Sequence, residues 1–477
     1  MKSPPDRFVH PLTERYASEE MSAIFSPRFK FETWRRLWLW LAEEEQRLGL
    51  PISNEAIGQM RAHLTDIDSE AAASEEERTR HDVMAHVRVF GQAAPAARGI
   101  IHWGATSAYV SDNGDLIQMR EGLSLVERRL AAVLKVLRGF MLAHRDLPAL
   151  AYTHFQPAQP TTVGKRAALW ASDLLMDLEA VRRAREDLRF LGAKGATGTQ
   201  ASFLLLFGGD SDRVEELDRA LARRAGFERR QIVSGQTYSR KQDDRVVHAL
   251  SGLAQSAHKL ATDLRLLQHE GELEEPFEPS QIGSSAMPYK RNPMRAERVC
   301  ALARHVVALS LDTAMTASTQ WLERTLDDSA NKRIAVPEAF LAADAILVIL
   351  ENVFSGLVVH PEVSLRRLEE EISFLATENI LMEAVRQGGD RQQLHETLRV
   401  HARAAAERRT REGGGSDLFE RLAGDASFGL TREEIRKAAD PVKLIGRSAE
   451  QVQIFVREEL DPALEGVVAA EAAPVRV

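Results

Sequence analysis

Apolar residues recur every three or four positions over most of the chain, and almost nowhere at every second position. From Phe29 to Leu48, Trp34, Leu37, Trp38 and Leu41 fall on one side, and Gly49-Leu50-Pro51 ends the run, as expected of an amphipathic helix. A more charged helix follows to about Leu64, and another runs from Glu70 to Phe90. Small and polar residues from Gly99 to Asp115 interrupt the period and mark a boundary. Beyond it, helical spacing covers Leu116 to Arg145, Thr162 to Leu191, Asp210 to Gly226, Arg240 to Leu273, Pro293 to Ser318, Trp321 to Ser329 and Ile334 to Phe354. Shorter charged helices occupy residues 361–410, and Arg411 to Asp417 reads as a flexible turn. Residues 1–26 read as irregular, and Ala463 to Val477 as a frayed tail. Helices this long bury their faces in a bundle, so the pattern predicts an all-α protein with a central long-helix bundle.

The polar interruptions carry the chemistry-bearing residues. One is Gly99 to Asp115, with Thr106-Ser107 before a long helix; others are Ala151 to Lys165, Gly192 to Gly209 and Ser234 to Tyr238. The most distinctive is Gln281 to Arg298, QIGSSAMPYKRNPMRAER. Its Gly, Ser and Pro content predicts a long exposed loop, and Asn292-Pro293 reads as an N-cap followed by proline at the first helical position. Ser284, Ser285, Lys290 and Arg291 would then stand before a helix N-terminus, an arrangement suited to anions and to an activated hydroxyl. A solvated basic connector fits the same residues equally well. His154 can act as an acid or base in its polar loop, or be an ordinary surface histidine. Arg80-His81-Asp82 and the pair Arg324 and Arg333 around Ser329 read either as anion contacts or as exposed charge.

Composition narrows the classes. The 477 residues carry 62 Lys+Arg against 70 Asp+Glu, a net charge of −8, which argues against a general nucleic-acid binder. With one cysteine, Cys300, there is no intrachain disulfide or cysteine metal site, and a reducing cytoplasmic setting fits. The first ten residues lack the apolar run of a leader, and the longest apolar run, Ala339 to Leu350, contains Asp344 and is too short to cross a bilayer. HExxH, GxxxxGK[ST], a strand followed by GxGxxG, and GxSxG are all absent, so no metal or cofactor is expected.

GSSAMPYKRNP, from Gly283 to Pro293, resembles the signature of the fumarase/aspartase superfamily, and its Tyr-Lys-Arg form with MRAER resembles the adenylosuccinate lyase family. RYAS, RHDVMAHV, GATS, THFQPAQ, TGTQASF, SGQTY and ERTLDDSANKR recur in order and are similar to the larger, animal-type branch. Trp103 departs from the aliphatic residue expected beside GATS, and the tail after about Leu460 carries no resemblance.

The resemblance implies three helical domains (1–106, 107–359 and 360–477), a homotetramer whose core is the central bundle, and active sites shared by three subunits. The implied reaction is β-elimination of fumarate from succinylated purine nucleotides, without cofactor, nucleic acid or membrane. It assigns Ser284 as base, His154 as acid, Glu297 as the carboxylate orienting that histidine, His81 as a second active-site histidine and Lys290 as a cation for the developing negative charge. Arg15, Tyr16, Arg80, Asp82, Thr106, Ser107, Gln236, Arg298, Arg324, Ser329 and Arg333 fall at substrate-binding positions. An argininosuccinate-type lyase or a crystallin-like structural protein are the alternatives it leaves.

Overall fold

The computed structural model describes residues 8–476. Five long helices form the centre: Ser107–Ala143, Val163–Glu186, Lys241–His269, Met294–Ser318 and Asp328–Ser355. The first packs on the second and fifth, and the third packs on the second, fourth and fifth, closing a bundle. Trp170, Phe340, Leu250 and Val299 are buried within it. Close approach is set by small residues: a Cβ on Gly164 would lie 2.4 Å from the Met141 carbonyl oxygen, so this position admits no side chain.

The N-terminal helix Pro27–Arg47 forms as its pattern predicts, with Ser26 accepting the Phe29 amide at its start. It buries Trp34 and Trp38 in the same continuous core as the bundle. A second hydrophobic cluster, spanning residues 376–439, gathers the shorter helices Thr377–Arg386, Arg391–Glu412 and Arg432–Ala438.

Several expectations need correction. Glu70 to Phe90 is two helices, Ser69–Thr79 and Asp82–Ala93, because Arg80 adopts a left-handed φ of 54°. The long helix expected from Leu116 already starts at Ser107; Asp112 and Asn113 are buried there because they find polar partners. Ala151 to Lys165 is not a loop but mostly an antiparallel hairpin, Pro148–Thr153 with Gln156–Thr162. Its two-residue turn, His154-Phe155, has φ of 53° and 57°, the primed-turn geometry of tight hairpins. Trp321–Asp327 is not helical; the following helix starts at Asp328.

The irregular stretch expected over residues 1–26 lies in part, at 1–7, outside the described residues; the remainder holds two short helical segments, Leu12–Tyr16 and Glu19–Ile24. The tail, expected frayed to Val477, is pinned to the bundle over its described residues; Val477 lies outside them. Leu464 and Ala470 belong to the main core, the Ala470 amide donates to the Arg128 carbonyl at 3.1 Å, and Arg129 bonds the Glu471 carbonyl. Trp103 packs against the same core.

Candidate functional site

The helix break at Arg80 sets the first group of candidate residues. His81, extended at φ −148°, caps Asp82–Ala93 by accepting the Met84 amide on Nδ1 at 3.4 Å. That assigns the proton to Nε2, which faces Ser107 Oγ at 3.3 Å. Thr106 is the N-cap residue of the long helix, yet its side chain makes no capping bond. Asp82 pairs with Arg333 at 3.1 Å. Behind this group, Trp38 Nε1 donates to His102 Nδ1 at 2.9 Å, and burial, then the neighbouring His81, push His102 down to about 4. Lys30 lies 4.9 Å over the Trp34 ring, and burial lowers its pKa, opposed by Asp115.

A buried ionic network fixes the next candidates. Arg240 donates from Nη2 to Asp112 at 3.0 Å and from Nε to Asp328 at 2.5 Å. Asp328 in turn accepts from Arg324 at 2.9 Å, and Lys332 contacts Asp112 at 3.0 Å and Asp115 at 2.7 Å. Burial works against ionised Asp112, but Arg240 and Lys332 outweigh it and hold its pKa down. Asp243, also buried and bonded by the Tyr238 hydroxyl at 2.6 Å, is pushed up to about 6, mainly by burial. Gln236 reaches the Ala196 carbonyl through Nε2 and the Glu323 carbonyl through its amide, both at 3.0 Å. Ser329 is half-buried in the first turn of Asp328–Ser355. The three polar segments 104–115, 234–240 and 324–333 are thus held together by charge.

The second group surrounds the loop Gln281–Asn292. Its neck is closed by Asn292 Nδ2 donating to the Gly283 carbonyl at 2.8 Å. Asn292 is therefore a loop tie rather than the N-cap; Pro293 takes that position and makes no side-chain cap bond. The helix start is capped instead by buried Glu275, whose carboxylate accepts the amides of Arg295 at 3.0 Å and Ala296 at 2.5 Å. Those donors are accordingly occupied from within the chain. At the tip, Ser284 Oγ accepts the amides of Ala286 at 3.3 Å and Met287 at 3.1 Å. Donors aimed at the oxygen favour its deprotonated form. Lys290 is exposed, Arg291 pairs with Glu274 at 3.1 Å, and Glu297 is exposed one turn into the helix. The Arg298 guanidinium lies 5.8 Å from the Tyr16 ring, while Arg15 beside it is exposed. His154 is exposed on its hairpin turn, and that hairpin is anchored to the start of the loop region by the Tyr152 hydroxyl donating to Glu272 at 3.4 Å.

These two groups occupy opposite ends of the bundle. At one end Lys332 meets Asp112, and Gln242, at the start of Lys241–His269, brackets Arg189 through both its amide and its carbonyl. At the other end Leu273 pairs with Val359, and the Gly164 amide donates to the His144 carbonyl. The helix Lys241–His269, with 29 residues, spans the distance, so the ends are about 40 Å apart. The structure brings His81, Asp82, Ser107 and Arg333 together, and joins Arg324 to them through the network. It does not bring them to Ser284 or His154 within one chain.

Lys30, Asp112, Arg240, Glu275 and Lys332 escaped sequence reasoning. Only the run of acidic residues in ELEEPFEP before the loop offered a signal, for Glu275. Among the described residues, no group of three or more His, Cys, Asp or Glu could hold a metal.

Residues 20–308 match the family model described as "Lyase", and residues 373–455 match "Adenylosuccinate lyase C-terminus". The adenylosuccinate lyase of Saccharomyces cerevisiae is 52% identical over 463 residues, 96% of each chain. That of Schistosoma mansoni is 47% identical over 461 residues, again 96% of each. Among solved structures, a fumarate lyase from Mesorhizobium sp. BNC1 superposes with a TM-score of 0.80 at 26% identity, covering 95% of this chain and 99% of that one.

Proposed function

The chain belongs to the adenylosuccinate lyase family, and from that membership we propose that it eliminates fumarate from adenylosuccinate, giving AMP, and from the related succinylated carboxamide ribotide. The observation that carries this reading is 52% identity over nearly the whole chain to a curated adenylosuccinate lyase. Ser284, deprotonated, takes the proton from the succinyl carbon next to a carboxylate. The electron pair left behind is held as an aci-carboxylate, to which Lys290 supplies positive charge. The carbon–nitrogen bond then breaks, and His154, oriented by Glu297, protonates the leaving nitrogen. His81 is the second active-site histidine, near the phosphate or succinyl group, and Thr106, Ser107 and Gln236 bind substrate. Arg15, Arg80, Arg298, Arg324 and Arg333 supply positive charge to the nucleotide's anionic groups, and Tyr16, Asp82 and Ser329 occupy further substrate-binding positions.

Because the base and the His81 group lie at opposite ends of one bundle, the reaction centre is assembled from several copies, in a homotetramer whose sites draw on three subunits. The outward face of Met294–Ser318 supports this. By length and composition it is the one helix among the described residues apolar enough to cross a membrane, yet it packs on the bundle and leaves Val307, Leu311 and Met315 exposed at four-residue spacing. A second copy would cover that stripe. The reaction belongs in the reducing cytoplasm. Fumarate release on adding adenylosuccinate tests the activity, and no fumarate from either succinylated substrate would refute it.

A further inference from the structure

A cavity of about 630 Å³ opens where the end of the helix Val163–Glu186 meets the start of Lys241–His269. Four cations line it: Arg183, Arg189, Lys241 and Arg245. Elsewhere on this chain exposed arginines generally sit beside carboxylates, as Arg219 and Arg223 do with Glu216. Here the side chains of Arg183, Arg189 and Arg245 have no carboxylate partner among the described residues. Lys241 reaches Asp244 only at 3.7 Å. The one carboxylate in the lining, Asp187, is already bonded to Arg229 at 2.5 Å.

A basic residue in the last turn of a helix offsets the negative end of the helix dipole, which accounts for Arg183. It does not account for Arg189, which lies beyond the helix, or for Arg245, which lies in the second turn of another. Three uncompensated guanidinium groups around a concavity repel one another and concentrate positive potential, an arrangement that an anion relieves. Guanidinium forks match phosphate oxygens in geometry. The rest of the lining mixes apolar Ala180, Ala184 and Ala249 with polar Gln231, Ser239 and Gln242, and the volume is that of a small-molecule site.

We propose that this cavity is a second ligand site, for a small organic polyphosphate of the nucleoside di- or triphosphate class, with the phosphates on Arg183, Arg189 and Arg245 and the apolar part against Ala180, Ala184 and Ala249. It is distinct from the His81 group, but adjacent to it through the backbone. Ser239 and Lys241 line the cavity, while Arg240 between them turns inward to Asp112 and Asp328. The binding inference does not depend on the lyase reading.

The test uses the full-length assembled protein with ATP as probe, titrated by calorimetry into three forms: wild type, Arg183→Gln/Arg245→Gln and Arg324→Gln/Arg333→Gln. The cavity variant is expected to lose at least roughly tenfold in ATP affinity, as two charge-assisted contacts would, while keeping its turnover without ATP. The Arg324/Arg333 variant is expected to keep wild-type ATP affinity at one site per chain. The proposal is overturned if wild type shows no saturable ATP binding. It is equally overturned if affinity is unchanged in the cavity variant, or is lost only with Arg324 and Arg333. A change of oligomeric state in Arg183→Gln/Arg245→Gln by light scattering would also overturn it, since the arginines would then seat a neighbouring chain.

Discussion

Glu275 accepts the amide hydrogen of Ala296 at 2.5 Å, and with its other oxygen that of Arg295 at 3.0 Å, twenty residues along the chain. The carboxylate thereby fixes the start of the helix that carries Glu297 and Arg298, and the far end of the loop that carries Ser284. Glu275→Ala leaves buried amides without a partner and should cost about 1–2 kcal/mol of stability. It should also lower turnover by misplacing the loop. Glu275→Gln keeps one of the two acceptors but turns an NH2 toward the other amide, so it should recover only part of both. Urea unfolding with steady-state kinetics on the two variants reads this out; equal behaviour of Ala and wild type would discard the capping role.

The loop itself depends on one glycine. A Cβ at Gly283 would lie 2.0 Å from the Lys290 carbonyl oxygen, a contact only a backbone shift can relieve. Since Gly283 precedes Ser284 and its carbonyl holds Asn292, the shift displaces the proposed base. Gly283→Ala should cut kcat on the order of 100-fold, as a displacement near 1 Å in a catalytic group does. The melting temperature should stay close to wild type, because the loop contributes little to the core. Unimpaired kcat would contradict the placement.

The sequence pattern reached the helices whose faces are buried in the ordinary way, such as Trp34, Leu37, Trp38 and Leu41, since an apolar stripe of helical period has one stable use. It failed where tertiary contacts override local preference. Asp112, Asn113 and Gly114 look like a loop until Arg240, Lys332 and the 191–192 backbone are seen to satisfy the two polar side chains inside a helix. The hairpin around His154 has two prolines in its second strand and no Asn-Gly turn, so its period-two signal is faint. The left-handed Arg80 is equally silent in sequence. The site residues themselves came from motifs, whereas the partners that position them, Glu275 and Arg240, are remote in sequence and carry no motif.

Arg240 is the hub of the buried network, and a fork is needed to serve Asp112 and Asp328 at once. Arg240→Lys keeps the charge but can satisfy only one of them, leaving the other carboxylate buried and under-compensated. We expect a stability loss in the range of about 3–5 kcal/mol found for broken buried pairs. KM should rise as well, because Asp328 also holds Arg324. Replacing exposed Arg219 by Lys provides the control. Unaltered melting temperature and KM in the Arg240→Lys protein would remove the network from the account.

Opposite-end placement of the two groups makes a prediction about mixtures. Ser284→Ala and His81→Ala chains should each be inactive alone. If a reaction centre takes Ser284 from one copy and His81 from another, unfolding and refolding the two together at equal ratio should restore activity. Random assembly of independent pairs leaves about one quarter of sites with both groups intact. The recovery should be absent when the chains also carry Leu311→Glu, which places charge in the exposed apolar stripe of Met294–Ser318. No recovery in the simple mixture would mean that both groups act within one chain.

Glu45 gives the fold a pH dependence unrelated to catalysis. It is fully buried, neither carboxyl oxygen has a hydrogen-bond partner, and burial raises its pKa from 4.5 to about 9. The folded protein therefore keeps this proton through neutral pH, while the unfolded chain releases it near 4.5. Glu45 thus costs nothing in charge below that value. Between the two, stability falls by about 1.4 kcal/mol per pH unit, and the full loss is reached above the folded value. Glu45→Met removes the titration and fills the same volume with an apolar chain. At pH 7 the variant should be more stable by up to about 3 kcal/mol. Its advantage should widen from pH 6 to pH 9, read by chemical unfolding across that range. A constant difference between the two proteins would show that Glu45 does not carry the proton.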